Sequence, residues 1–328
     1  MTATTSPRAW RTALALLAAL PALLAGPARA AGAPPTGLLW HNSYILDHHR
    51  GVQVSALAGG KPVEITNSKD MDVSAWPDGR QFIVTKPDIY RRITSFVVMT
   101  PDGKAVLSGD VDGYVRDVEP SPTDRRLAKV RRGESPLAPF EDQVLDLATL
   151  RTRYRIADDD WFAWMPDGRF MLISIKTGRM RIASLDGGPE AAVGQLTPPA
   201  DRQMGAFAVS PTGRELIMKM PRRNAVPREA DLWIASIDGS RLERLTEAKA
   251  IGSALWSPDG RFVAYTVDSG HFCSTAGYCV GSCDQWYTPA TLRGVRGFKG
   301  EPGSEAFQVN NRQGQRQELG CEVLAWTP

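Results

Sequence analysis

One short pattern returns along this chain, and it restricts the fold more than any other feature. It reads SAWPDGRQFIV around Trp76, VEPSPTDRRLAKV around Pro122, AWMPDGRFMLIS around Trp164, AVSPTGRELIMK around Pro211 and LWSPDGRFVAYT around Trp256. Its first half comes back once more as LAWTP, with Trp326 and Pro328. The shared prolines are Pro77, Pro122, Pro166, Pro211, Pro258 and Pro328, separated by 45, 44, 45, 47 and 70 residues. A period near 45 residues marks a repeat architecture, and at this length a β-propeller is the expected one.

The local chemistry of each copy agrees. An apolar run leads into a tight turn and a second apolar run comes after it. In Ser257-Pro258-Asp259-Gly260 the proline presets φ at the first corner, aspartate suits the second, and glycine accepts the left-handed conformation after it. The flanks carry β-branched and aromatic residues such as Phe262, Val263, Tyr265 and Thr266. A second hairpin is expected between successive copies, turning at Gly59-Gly60, Asp102-Gly103, Thr149-Leu150, Asp186-Gly187, Asp238-Gly239 and Gln313-Gly314. Two hairpins per period make a four-stranded blade. The abundance of turn residues, 30 Gly and 24 Pro in 328, suits such a fold better than a helical one.

The count then closes. Residues 37–66 supply three strands with no motif strand before them, and residues 321–327 supply a motif strand with none after it. Joined, they complete one blade, and five lie between. The expected fold is all-β: a six-bladed β-propeller of four-stranded blades, its ring closed by N- and C-terminal strands sharing a blade, which removes the exposed edges of an open sheet. The long last spacing places an insertion at about 268–304, read as a loop.

The runs AWPDGR, WMPDGR, SPTGRE and WSPDGR, with the partner run LWIASIDGSRLERLT, resemble the repeats of TolB-like six-bladed propellers. The resemblance spans nearly all of residues 31–328 and implies a propeller without the separate α/β domain that precedes the blades in TolB itself. It implies fold strongly and partners weakly, because one fold hosts many functions.

Residues 1–30 have the form of a secretory signal peptide. Arg8 and Arg11 open it, Thr12–Leu24 is apolar, and Ala28-Arg29-Ala30 offers small residues at a cleavage site. The apolar run is too short to span a bilayer, which takes roughly 20 residues. A single propeller of residues 31–328, exported to the periplasm or beyond, is expected, with no membrane span after removal of the leader. Four cysteines fit that address: Cys273, Cys279 and Cys283 cluster and Cys321 stands apart, an even count that reads as two disulfides with three pairings open. Zinc is the rival reading, but the spacings are not those of a zinc knuckle. The 39 basic and 36 acidic residues differ only by Arg8, Arg11 and Arg29, so the chain beyond the leader is charge-balanced and unsuited to general nucleic-acid binding.

Signatures of catalysis are missing: no G-x-S-x-G, H-E-x-x-H, Walker loop or G-x-G-x-x-G opening a helix. The four histidines are His41, His48, His49 and His271. Asp47-His48-His49 is the best local candidate, yet neighbouring side chains on an extended segment point apart. No cofactor or metal is expected, and the motif tryptophans are read as packing between blades. In a propeller, the loops from fourth strand to next first strand share a face with those from second to third. Here the former hold Asp70, Asp72, Asp110, Asp112 and Asp158-Asp159-Asp160, and the latter Arg91-Arg92, Arg131-Arg132 and Arg222-Arg223. A face with both signs around the channel mouth suits steering of a charged protein. The three adjacent aspartates lack EF-hand spacing for calcium. The expected function is therefore a binding or scaffold module for a periplasmic or envelope protein; the alternative is a small-molecule or glycan-binding propeller with hydrolase or lyase activity in its channel.

Overall fold

The computed structural model describes residues 33–42, 51–66, 71–225, 229–268, 283–297, 301–319 and 323–328. The leader at residues 1–30, Asp47-His48-His49, Asp70, His271, Cys273, Cys279 and Cys321 lie outside them. The chain divides into Met1–Pro34, of which Ala33 and Pro34 are described, and Pro35–Pro328, which holds every strand.

Strands β1 (Leu38–Asn42), β2 (Val52–Ala56) and β3 (Val63–Thr66) come first and belong to the closing blade. Blade 1 is β4 (Asp72–Ala75), β5 (Phe82–Asp88), β6 (Ile93–Met99) and β7 (Ala105–Asp112). Blade 2 is β8 (Tyr114–Pro120), β9 (Leu127–Gly133), β10 (Glu141–Asp146) and β11 (Arg151–Arg155). Blade 3 is β12 (Asp160–Trp164), β13 (Phe170–Ser174), β14 (Arg179–Ala183) and β15 (Ala191–Gln195). Blade 4 is β16 (Phe207–Val209), β17 (Glu215–Pro221), β18 (Ala230–Ser236) and β19 (Leu242–Arg244). Blade 5 is β20 (Ile251–Trp256), β21 (Phe262–Asp268), β22 (Cys283–Pro289) and β23 (Glu305–Ala306). A separate hairpin, β24 (Gln308–Asn310) and β25 (Arg316–Glu318), precedes β26 (Val323–Thr327). The sixth blade runs β26-β1-β2-β3, with Leu39 opposite Trp326, so the expected closure is the one observed.

Packing explains why the blades form a ring. Side chains alternate across a strand, so each blade has two apolar faces and needs two neighbours. Six buried clusters answer to the six junctions. Trp76, Phe96 and Val98 meet Val115 and Val130 between blades 1 and 2; Val144 meets Phe162 and Phe170 between 2 and 3. Met171 and Ile173 meet Leu216 and Met218 between 3 and 4, whereas Ile217, on the opposite side of β17, meets Val263 and Val267 between 4 and 5. Phe262 meets Leu39 and Trp326, and Trp40 meets Val73 and Phe82, completing the circle.

The motif tryptophans pack as expected. Trp164 and Trp256 donate Nε1 to the carbonyls of Glu119 and Ala208 in the preceding blades, at 2.9 and 3.2 Å. Trp76 stands one residue nearer its proline, and it faces the following blade instead, as a one-residue offset on a strand requires. The turns themselves are of the expected kind, with Gly79, Gly168, Gly213 and Gly260 at φ of 69, 86, 68 and 71°.

One expectation is corrected. The segment 268–304 is not simply a looped insertion, and the Gln313-Gly314 hairpin is not the outer half of blade 5. Residues 283–289 form β22, which pairs along the full length of β21, because Gln285, Trp286, Tyr287 and Thr288 are good strand residues. The Gln313-Gly314 turn joins β24 and β25, a two-stranded sheet outside the blades. Phe307, Val309 and Leu319 of this stretch fill the junction of blades 5 and 6. No helix among the described residues is long and apolar enough to cross a membrane.

Candidate protein-binding face

The structure resolves the expected charged face into groups with different roles. Arg222 and Arg223 come directly after β17 but are engaged within the chain. Arg222 lies 3.8 Å from Asp201 and 3.4 Å from Glu229, and Arg223 Nε donates to the carbonyl of Arg202 at 2.8 Å. Beneath them sits Asp231, with no exposed surface. It accepts Arg244 Nη2 at 2.6 Å and the backbone N–H of Lys249 at 2.9 Å, and Arg202 Nη1 is 3.5 Å away. This arrangement fixes loops and leaves little charge uncommitted.

Arg131 and Arg132, expected in a loop, lie within β9. Arg131 pairs with Asp142 at 3.3 Å and Asp117 at 3.6 Å, and Arg132 Nε donates to the carbonyl of Asp112 at 2.7 Å. Beside them Lys129 is buried and contacts Glu119 at 2.8 Å. Burial works against its ammonium form, but the Glu119 and Asp142 carboxylates outweigh that and raise its pKa. Asp117 takes φ +51° at an irregularity of β8, where register shifts between Arg116 and Glu119. Loss of hydration, and after it the Asp117 carboxylate, raises the pKa of Asp72. Asp110 accepts Ser95 Oγ at 2.6 Å. Asp159 pairs with Lys176 at 3.2 Å and Asp160 with Arg181 at 2.5 Å, while Asp158 is exposed. No group of three or more His, Cys, Asp or Glu among the described residues is arranged to hold a metal. His41 is fully buried, its Nε2 2.9 Å from Ser55 Oγ.

Arg91 and Arg92 differ from the rest. Both are exposed, and no side-chain ion pair or hydrogen bond engages them among the described residues. Arg92, next to Arg91 in the same loop, lines an open groove of about 350 Å³ at the junction of blades 1 and 2, walled by Asp88, Ile89 and Arg92 on one side and Glu134, Pro136 and Ala138 on the other. Ile89, in its wall, is 57% exposed, and the loops on its two sides also carry Tyr90, 93% exposed, and Leu137, 97% exposed. Isolated exposed apolar residues are ordinary; here three large ones fall on the two loops that border one groove.

Both loops are braced. Asp88 Oδ1 accepts the backbone N–H groups of Tyr90 and Arg91 at 3.0 and 2.9 Å, and the carbonyl of Arg92 accepts Gly113 N–H at 2.7 Å. Thr94 Oγ1 donates to the Gly113 carbonyl and accepts from Val115 N–H. Across the groove, the Arg116 guanidinium lies 3.9 Å from the Phe140 ring centroid and Tyr114 meets that ring edge-on at 5.9 Å, pinning the loop that carries Leu137. The exposed side chains are therefore presented by ordered backbone. In the sequence, charge alone points to Arg91 and Arg92. The signal for the rest is the apolar residues inside two polar turns, PDIYRR and ESPLAP.

Together the ring and its strand order define a six-bladed β-propeller. Among solved structures it is similar to TolB from Acinetobacter baumannii, with a TM-score of 0.52 and 16% identity over 80% of this chain and 65% of that one. A putative TolB from Agrobacterium tumefaciens gives 0.49 and 14% over 78% and 85%. The chain spans about 65% of the length of the Acinetobacter protein, and at this identity the likeness establishes the fold alone. No protein-family model and no curated protein matches the sequence.

Proposed function

We propose that this chain is an exported protein-binding module whose partner docks on the loop face at blades 1 and 2. One observation carries the reading: Ile89, Tyr90 and Leu137 stand in water on two braced loops that border a groove. A partner that covers these apolar side chains gains the free energy of removing them from water, and preorganised loops spare it the entropy of ordering them. Aromatic and Arg side chains are also the residues that dominate binding interfaces. Export rests on the leader-like residues 1–30.

The test is cross-linked capture of the tagged full chain from envelope extract, alongside a Tyr90→Ser/Leu137→Ser variant. The expected result is a specific partner retained by the parent chain and lost by the variant, with both equally stable. Retention by the variant would move the interface elsewhere. N-terminal sequencing of the fractionated protein checks export, and an intact Met1 in the cytoplasmic fraction would refute it.

A further inference from the structure

We infer that the groove between blades 1 and 2 receives an extended partner segment bearing an apolar side chain beside carboxylates, an inference that rests on the protein-binding reading above. The groove volume, about 350 Å³, suits one or two large side chains rather than a folded surface. Its mouth decides the sign of the partner's charge. Arg91 and Arg92 have no side-chain partners among the described residues, so both guanidinium groups are available to an incoming carboxylate. The nearest acid, Asp88, already commits its Oδ1 to two N–H groups of its own loop. Glu134 stands on the opposite wall, so the two walls differ in charge and a bound segment has a preferred direction. An apolar side chain placed between Ile89 and Pro136 then brings its acidic neighbour toward Arg92 and the adjoining Arg91.

Three fluorescein-labelled peptides of ten residues test this with the full chain: one with Trp-Leu between paired aspartates, one with Trp-Leu between paired lysines, and one with Ser-Ser between paired aspartates. Anisotropy titrations are expected to show the acidic Trp-Leu peptide binding at least tenfold tighter than either control. Arg91→Glu/Arg92→Glu is expected to remove that preference, Ile89→Ser, in the groove wall, to weaken binding severalfold, and Lys104→Glu, on the opposite face, to change nothing. Equal binding of the acidic and basic Trp-Leu peptides, or acidic binding indifferent to Arg91 and Arg92, would overturn the inference. A photo-cross-linker introduced at Tyr90 separates the two layers. Capture of a specific protein while the acidic peptide fails to bind refutes the acidic segment and keeps the docking face. Vesicles containing anionic phosphatidylglycerol binding where peptides and proteins do not would refute both.

Discussion

Removing the Asp231 carboxylate tests most sharply what holds the loop face together. Asp231 begins the third strand of blade 4 and is wholly buried, and it joins Arg202 from the preceding inter-blade loop to Arg244 of β19. Asp231→Ala removes the acceptor of Arg244 Nη2, of Lys249 N–H and of Thr246 Oγ1, this last at 3.3 Å. Arg244 is partly exposed and can turn to water, but Arg202, 8% exposed at its side chain, cannot, and it is left with the half-exposed Asp201 carboxylate at 3.5 Å as its acidic partner. Breaking a buried pair costs about 3–5 kcal/mol, and because Asp201 still faces Arg202 the lower end of that range is expected, about two powers of ten in the folding equilibrium. The assay is the urea midpoint followed by tryptophan fluorescence, with amide exchange at Leu232 and Lys249 reporting the loop itself. A double variant, Asp231→Leu/Arg202→Met, removes both charges and is expected to recover at least half the loss. A loss under about 1 kcal/mol for Asp231→Ala, or a double variant no better than the single one, would show that the pair does not hold this face together.

Three further outcomes are expected. Thr85 Oγ1 is buried without a hydrogen-bond partner among the described residues, beside apolar neighbours such as Ile83 and Phe96, so Thr85→Val should raise stability by about 1 kcal/mol, checked by the urea midpoint; an unchanged or lower midpoint counts against it. Trp256→Phe loses the inter-blade hydrogen bond to Ala208 and some packing, for an expected cost of about 1–2 kcal/mol, measured in the same way. Hydrogen bonds from Ser236, and then from the Ser240 backbone and hydroxyl, lower the Asp238 pKa to about 2, below its unfolded value near 4. Its contribution is therefore present above about pH 4 and is lost as pH falls toward 2. The difference in urea midpoint between the parent and Asp238→Asn should shrink over that interval, and a constant difference would refute the assignment.

The blades were legible because their signal is local. Proline, aspartate and glycine fix the turn within four residues: Asp78, Asp167 and Asp259 each accept the backbone N–H two residues on, at 3.1, 3.0 and 3.0 Å. The one-position offset of Trp76 is visible in the sequence, but that it turns the indole toward the following blade shows only in the packing. β22 was hidden because it departs from the spacing of the other third strands and begins at a cysteine of the cluster. The site was half legible. Charge marks Arg91 and Arg92 as readily as Arg222 and Arg223, and sequence does not say which arginines find carboxylates across the loops. Nor does it say that Pro136, 44 residues beyond Arg92, shares a groove with it. Both depend on which loops the ring makes neighbours.

The closing blade has a consequence for how the molecule is assembled. Five blades are each written on one continuous stretch, so their hairpins zip from nearby residues. The sixth pairs Leu39 with Trp326, and Trp40 Nε1 donates to Thr327 Oγ1, across almost the entire chain. During synthesis β1–β3 wait, with Leu39 uncovered and one edge of β1 unpaired, until β26 arrives. That final latch is the most non-local contact and the slowest to be found by search. While it stays open, both flanks of the gap are sticky, and β26 of a neighbouring copy fits as well as the molecule's own. Concentrated refolding therefore favours rings latched by exchanged strands, and dilute refolding favours rings that latch themselves.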